Sequence, residues 1–348
     1  TTINKPTEHF NTKLYTGNSG SGDNVVAVGF QPDFTWFKSR TQGYNNYLID
    51  AIRGDEKYIS SDNTNAEASW GVDDVTWTST GFTLNTTGGS GINEGGQGAN
   101  NMVAWNWLAN GAGSANTQGD IASTVSANTT SGFSIVSYTG TGSLGTVGHG
   151  LGVAPKMIII KNRSTTNGWE VYHQSIGNTK YLALDVADAA LTSASRWNNT
   201  SPTSTVFTVN TEGGVNSSGG NLIAYCFAEK KGYSKFGGYT GNGNADGTFI
   251  YTGFKPAFVM VKRTDGGANY WEIRDNKREP NNAMFFRLFP NRSDAESQDA
   301  NEKIDYVSNG FKLRNTTTGS NGSGNTYIYM AFAEAPLVGS NNVPCTAR

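Results

Sequence analysis

The parts of this 348-residue sequence that could do chemistry are few: three histidines, some closely spaced carboxylates, two cysteines and a glycine-rich turn. The turn, "YTGNSGSGD" at residues 15–23, has the look of a phosphate cradle. Such a cradle needs consecutive backbone N–H groups at a helix N-terminus, usually with a lysine, and this stretch has neither the lysine nor a following helical pattern. Its Gly and Asn residues read instead as the positive-φ positions of a hairpin turn. His9, His149 in "VGHGLG" and His173 in "EVYHQS" have no partner at metal-ligand spacing and no G-x-S-x-G serine beside them, so each reads as a structural or surface histidine. Asp73 with Asp74, Glu170 with Asp185 and Glu272 with Asp275 are formal candidates for the carboxylate pair of a glycoside hydrolase. Beside strands, such residues are more often solvated loop positions. The acidic loop "SSDNTNAE" offers oxygen ligands for Ca²⁺ but lacks the EF-hand spacing. Cys226 and Cys345 make neither a disulfide framework nor a zinc site. The reading is therefore of a non-enzyme: no catalytic residue, no cofactor-binding residue and no metal site is assigned, and no cofactor is expected.

Two tryptophans, Trp70 and Trp197, lie in loop regions and are the candidate surface-contact aromatics, for stacking on a sugar ring or anchoring a partner. The competing expectation is that they plug the open end of a sandwich. Basic residues gather toward the C-terminal third (Lys262, Arg263, Arg274, Lys277, Arg278, Arg287, Arg292), as a face toward an anionic surface or as an ordinary solvated face.

The elements that must carry these residues are strands. Glycine is high at 44 residues and charge low at 16%, yet 8 Trp, 15 Tyr and 17 Phe are too many aromatics for a disordered chain. Aromatics and Thr between clusters of Gly, Asn, Asp and Ser are the pattern of short strands and tight turns, so the fold class is all-β. A formal net charge of −2 provides no global field for a polyanion, and a nucleic-acid partner is not expected. No apolar run reaches the roughly 18 residues of a membrane span, and "TTINKPTEHF" is not a signal-peptide pattern, so the expectation is no membrane insertion and synthesis in the cytoplasm.

The glycine-rich turn recurs. "LYTGNSGSG" returns as "SYTGTGSLG" and "GYTGNGNADG", and each copy is followed by a proline-led apolar strand: "GFQPDFTWFKSR", "GVAPKMIIIKNR" and "GFKPAFVMVKRT". Tyr15, Tyr138 and Tyr239 stand 123 and then 101 residues apart, as do Pro32, Pro155 and Pro256, while Phe82, Phe207 and Phe311 stand 125 and 104 apart. Each copy closes on a second apolar strand, "MVAWNWLA", "LIAYCFAE" or "YIYMAFAE". The order predicts three tandem repeats of about 100 residues, each a β-sandwich of jelly-roll or lectin-like type. The repeats fall at 1–110, 133–232 and 233–336, with a Gly/Ser/Thr/Asn-rich linker at 111–132 that could add a strand to the second, and a tail at 337–348. "NTNAEASWG" and "NRSDAESQD" are equivalent loops that each suit one helical turn; the second repeat lacks their Ala-Glu pair.

The paired apolar strands do not alternate. "FTWFK", "MIIIK" and "FVMVK" are apolar on successive positions, which predicts that both faces are covered by a neighbouring repeat or another subunit.

These motifs, together with "INKPTEHFNTKLYTGN" and "YSKFGGYTGNGNADGTFIYTGFKPAFVMVKRTD", resemble a repeated β-rich domain of structural proteins of tailed bacteriophages, notably short-tailed phages of marine bacteria and cyanobacteria. The resemblance spans essentially the whole chain. It implies a virion protein on the particle exterior, in the tail, a fibre or the head surface. Its partners would be other virion proteins, copies of itself and a host surface glycan or receptor. It supplies no catalytic residues. The alternative is a carbohydrate-binding or carbohydrate-cleaving adhesin acting at the host envelope.

Overall fold

A computed structural model describes residues 3–71, 74–85, 91–95 and 100–337. The protein is all-β and its sheets are antiparallel. Three main sheets share one strand order. The first contains β1 (Phe10–Thr16), β2 (Phe34–Ser39), β3 (Tyr47–Asp50) and β4 (Asn101–Trp107), arranged β1-β4-β2-β3. The second contains β5 (Phe133–Thr139), β6 (Met157–Asn162), β7 (Trp169–His173) and β8 (Asn221–Phe227), arranged β5-β8-β6-β7. The third contains β9 (Ser234–Thr240), β10 (Phe254–Arg263), β11 (Glu272–Asp275) and β12 (Thr326–Pro336), arranged β9-β12-β10-β11. Each is faced by a smaller outer sheet, built on Asn24–Ala27 with Gly81–Leu84, on Gly145–Gly148 with Val206–Val209, and on Phe249–Tyr251 with Gly310–Leu313.

The unbroken apolar runs now have a physical cause. Along β4 the period-2 alternation sends Val103, Trp105 and Trp107 into one cluster and Met102 and Ala104 into another. β8 does the same with Ile223, Tyr225 and Phe227 against Leu222, Ala224 and Cys226, and β12 with Ile328, Met330 and Phe332 against Tyr327, Tyr329 and Ala331. One face of every main sheet packs on its own outer sheet. The other faces of all three sheets meet in a single shared core.

Trp107 lies within that core. Its ring centroid is 4.8 Å from Phe10, 5.2 Å from Phe34, 5.9 Å from Phe258, 5.7 Å from Phe332 and 6.4 Å from both Phe133 and Phe227, so the aromatic contacts draw on all three segments. Such pairs add about 0.5–1.5 kcal/mol each beyond area burial. The void beside them, about 10 Å³ between Phe34, Trp36, Trp107, Tyr225, Phe258 and Met330, is apolar and at the lower limit for one water.

The Gly-rich stretch before the second segment adds the strand that the sequence allowed and a further one: Ser123–Asn128 pairs with β5 from Ser123↔Tyr138 to Asn128↔Phe133, and Ser114–Asn116 pairs with it in turn. One expectation changes. The loops expected to form a helical turn are extended, with short strands at Ala68–Ser69 and Ser297–Gln298. Their backbones are used across segment boundaries, Glu67 N–H donating to Arg163 O at 2.9 Å and Glu296 N–H to Arg40 O at 2.8 Å.

Because one core is common to the three sheets, Trp107→Ala should lower the stability of the whole chain by about 3–5 kcal/mol. Tryptophan fluorescence and far-UV circular dichroism should still report one coincident unfolding transition; separate transitions for the three segments would contradict the shared core.

Candidate functional site

Each glycine-rich turn is clamped in the same way. The Tyr15, Tyr138 and Tyr239 hydroxyls donate to the carbonyls of Ile92, Val215 and Ser320 at 2.7, 2.6 and 2.7 Å. Each ring also meets Phe82, Phe207 or Phe311 edge-on at 6.1, 6.2 or 6.4 Å. The next residues, Asn93, Asn216 and Asn321, are buried and accept the turn's backbone N–H groups from Asn18, Thr141 and Asn242. Glycine is required after Tyr-Thr: a Cβ on Gly17, Gly140 or Gly241 would stand 2.3, 2.3 or 2.4 Å from a facing carbonyl oxygen. The recurring Gly-x-Asn at 91–93 and 214–216, with Gly319-Ser320-Asn321, was a signal the sequence reading passed over.

The charged residues form seams between segments. Lys38, Lys161 and Lys262 are buried, and each donates to its own loop (Tyr44 O, Asn167 O, Asn269 O) and to a neighbouring segment (Ser293 O 2.8 Å, Thr64 O 2.9 Å, Ala187 O 2.8 Å). Burial pushes all three down to about 8. Trp169 and Trp271 make parallel contacts, their Nε1 donating to Ser60 O and Ala183 O at 2.9 Å, and Asn46 Nδ2 donates to Arg292 O at 2.9 Å. The sense is cyclic, first to third, second to first, third to second.

At two seams an Asp-x-x-Arg unit completes the join. Asp50 accepts from Arg53 Nε at 2.5 Å and from the Tyr225 hydroxyl at 2.8 Å, and Arg53 continues to Glu67 and thence Arg163. Asp275 accepts from Arg278 Nε at 2.6 Å and from Trp105 Nε1 at 3.0 Å, and Arg278 continues to Glu296 and thence Arg40. At the third seam the register positions hold His173, Ile176, Ala190 and Thr264. Met330 stands where Tyr225 and Trp105 do and has no proton to donate, and His173 Nε2 instead lies 3.3 Å from the Tyr329 carbonyl. Burial lowers the His173 pKa to about 4.

The candidate carboxylates therefore separate. Asp275 belongs to a seam. Asp185 accepts the Trp169 N–H at 2.8 Å in its own loop, and Asp73 lies outside the described residues. Glu170 and Glu272 occupy equivalent register positions, each against a glycine whose Cβ would collide with its carboxylate, Gly214 and Gly319. Glu170 is paired with Arg196, whose guanidinium lies 3.4 Å from the Tyr181 ring. Glu272 lies in a cavity of about 440 Å³, accepting from Arg287 Nη1 at 2.8 Å and Arg274 Nη1 at 2.9 Å. Arg287 also reaches Glu302 at 3.2 Å, and the Thr317 hydroxyl donates to Glu302 at 2.6 Å. Burial first, then the neighbouring Glu272 charge, raises the Glu302 carboxyl. Tyr270, 41% exposed, lines the same cavity beneath Arg292. In the first segment the corresponding position is Tyr47, in an aromatic group with Tyr58 and Trp70.

Trp197 is 2% exposed and donates Nε1 to Lys180 O at 3.1 Å, so it is a plug rather than a contact residue. Trp70 is half-buried and stacked on Tyr58 at 4.5 Å. The basic cluster is not one face: Lys262, Arg274, Arg278 and Arg287 are buried, Arg263 and Arg292 pair with Asp265 and Asp294, and Lys277 is exposed. His149 and His9 both have lowered pKa values through burial. Cys226 is buried and its thiol is pushed up by burial, while Cys345 lies outside the described residues. Among the described residues no group of three His, Cys, Asp or Glu side chains is placed to hold a metal ion, and Asp62 of the acidic loop accepts the Asn46 N–H at 2.7 Å.

A family model described as a domain of unknown function, DUF7483, matches residues 5–336, and the chain belongs to that family. No curated protein matches it.

Removing Glu296 leaves Arg278 buried without that partner, so Glu296→Ala should cost about 3–5 kcal/mol in chemical denaturation and Glu296→Gln less. His173 gives a pH dependence of definite sign. Its folded pKa of about 4 lies below the unfolded value near 6.5, so its contribution is present above 6.5 and is lost as pH falls toward 4. Between pH 7 and 4.5 the wild-type chain should lose about 2–3 kcal/mol more than His173→Asn; equal losses would show that His173 does not titrate this way.

Proposed function

We propose that this chain is a non-enzymatic structural protein on the exterior of a tailed-bacteriophage particle, in the tail, a fibre or the head surface. In this reading it is a triplicated β-sandwich of jelly-roll or lectin-like repeats that assembles with other virion proteins and copies of itself. The observation that carries the reading is the closed ring of seams. Three equivalent sheets join through cyclic contacts around one core, which gives a single chain the outline of a threefold object and suits it to a threefold position. The phage resemblance of the sequence supports the same reading.

Of the two partners expected to cover the apolar strands, a neighbouring repeat or another subunit, the neighbouring segments of the same chain do so. The doubly apolar strands are buried within the chain, so contacts with neighbouring subunits would run over the outer sheets, strand edges and turn tips. No helix among the described residues is long and apolar enough to cross a membrane.

One observation favours the adhesin alternative. The cavity at Glu272, Arg287, Glu302 and Thr317, with the exposed ring of Tyr270 in its wall, has the size and the mix of polar and aromatic groups of a saccharide site. Ion pairing of both carboxylates to Arg287 suits binding better than cleavage.

Antibody against the chain, applied to purified particles of the phage that encodes it, should decorate the exterior at fixed positions. Presence in the lysate with absence from particles would overturn the virion reading. Incubation with host surface polysaccharide tests the alternative, which fails if the chain neither retains nor shortens the polymer.

A further inference from the structure

The three outer sheets are treated differently at one edge. Asn24–Ala27, Gly145–Gly148 and Phe249–Tyr251 each pair through only one side with a strand of their own outer sheet. In the second segment the chain covers the other side itself. Ile121 bridges Val147 in parallel, its N–H donating to Thr146 O at 2.9 Å, and Asp120 Oδ2 accepts the Thr146 N–H at 3.0 Å and its hydroxyl at 2.7 Å. The Ile121 side chain joins the core beside Val147. The fit is close, since a Cβ on Gly119 would stand 2.4 Å from Thr146 O and one on Gly148 2.1 Å from Asn116 Oδ1.

Among the described residues, none gives the equivalent edges of the first and third segments such cover. Val26 and Ile250 point inward as Val147 does, but Val25 is 66% exposed, Phe249 45% and Tyr251 58%. No described residue bonds the outward backbone groups of Val25 or Phe249, the counterparts of Thr146. For the third segment the preceding connection is too short to do so: residues 228–233 join β8 to β9, where residues 108–132 join β4 to β5. An open strand edge flanked by exposed aromatic rings is a template for pairing with another chain.

We propose that Phe249–Tyr251 is a docking edge for an extended strand supplied by another polypeptide, with the chemistry this chain uses on its own second segment. That chemistry is an Asp or Asn oxygen that accepts the edge N–H, followed by a β-branched residue that bonds the adjacent carbonyl. Phe249 and Tyr251 stand where Thr146 and Gly148 do, so the incoming strand packs on two aromatic rings. Recognition is by strand addition, with main-chain hydrogen bonds providing affinity and the rings selecting an apolar neighbour. The inference is independent of where the whole chain resides.

The test uses the full chain and a synthetic peptide of residues 114–128, SANTQGDIASTVSAN, as the donor strand. The second segment's edge is already occupied in cis, so protection elsewhere reports a new site. Millimolar peptide should slow amide hydrogen exchange at Phe249–Tyr251 about tenfold and saturably. The variant carrying Phe249→Lys and Tyr251→Lys, both exposed positions, should lose that protection while its unfolding midpoint stays unchanged. Absence of protection at millimolar peptide, or protection that survives the double substitution, overturns the proposal. So does protection already present without peptide that disappears when the chain is ended at Leu337, which would make the chain's own tail the occupant.

Discussion

The constraint on which the rest depends is that every main sheet has two dry faces. A sandwich normally leaves the outside of each sheet to water, and its strands then alternate. Here the second face of each main sheet is turned toward the other two, and Trp107, Phe133, Phe227, Phe258 and Phe332 meet there. Polar groups at the boundary between segments are consequently removed from water, and a buried donor left unsatisfied there, as Trp107 Nε1 is, costs about 1–3 kcal/mol. The lysine contacts to neighbouring carbonyls answer this requirement at all three seams in the same cyclic sense, joined by Trp169 and Trp271 at two of them and by Asn46 at the other.

What differs between seams follows from what the neighbour offers. Tyr225 and Trp105 present a proton to the middle of the seam, and a carboxylate, Asp50 or Asp275, receives it. A buried carboxylate then needs a cation, and Arg53 and Arg278 provide it from the same turn, each continuing to a glutamate of the extended loop. Met330 presents no proton, and a carboxylate opposite it would be a buried charge without a donor. The position holds His173, a group that burial keeps neutral and whose ring nitrogen faces a carbonyl. With no carboxylate, an arginine at position 176 would itself be unpaired, and Ile176 stands there; Ala190 and Thr264 complete a seam without the carboxylate–arginine chain, in which Lys262 still donates to Ala187 O. Four substitutions are thus one physical change.

Much of the frame was legible in the sequence because it rests on period and spacing. The aromatic anchors Tyr15, Tyr138 and Tyr239, the proline-led strands, and the demand that "MIIIK" and "FVMVK" be covered on both faces all follow from local pattern. The covering partner was not legible, since the pairing of Asp275 with Trp105 joins residues 170 apart and only the folded chain brings them together. The stretch 111–132 has the Gly, Ser and Asn content of a linker that could add a strand, and the strand is what forms. At Gly119 and Gly113, Thr146 and Val125 approach too closely for any side chain, so the same composition serves an ordered element. Trp197 looked like a loop aromatic because its burial comes from packing on Tyr172, which sequence distance conceals.

The repeated frame and its varied contents bear on where recognition can reside. The tyrosine clamp, the buried Asn and the glycine after Tyr-Thr recur with nearly the same distances in all three segments, so the backbone under each turn is held alike whatever the tip carries. The position beneath the clamp does not recur: it is Tyr47 in an aromatic group, Glu170 on one arginine, and Glu272 in an open cavity with two. A threefold frame that carried identical sites would present one ligand three times. This frame presents three different surfaces, and among the described residues the third segment combines an open charged cavity with an aromatic strand edge, so in the proposed reading that segment is where contacts outside the chain would concentrate.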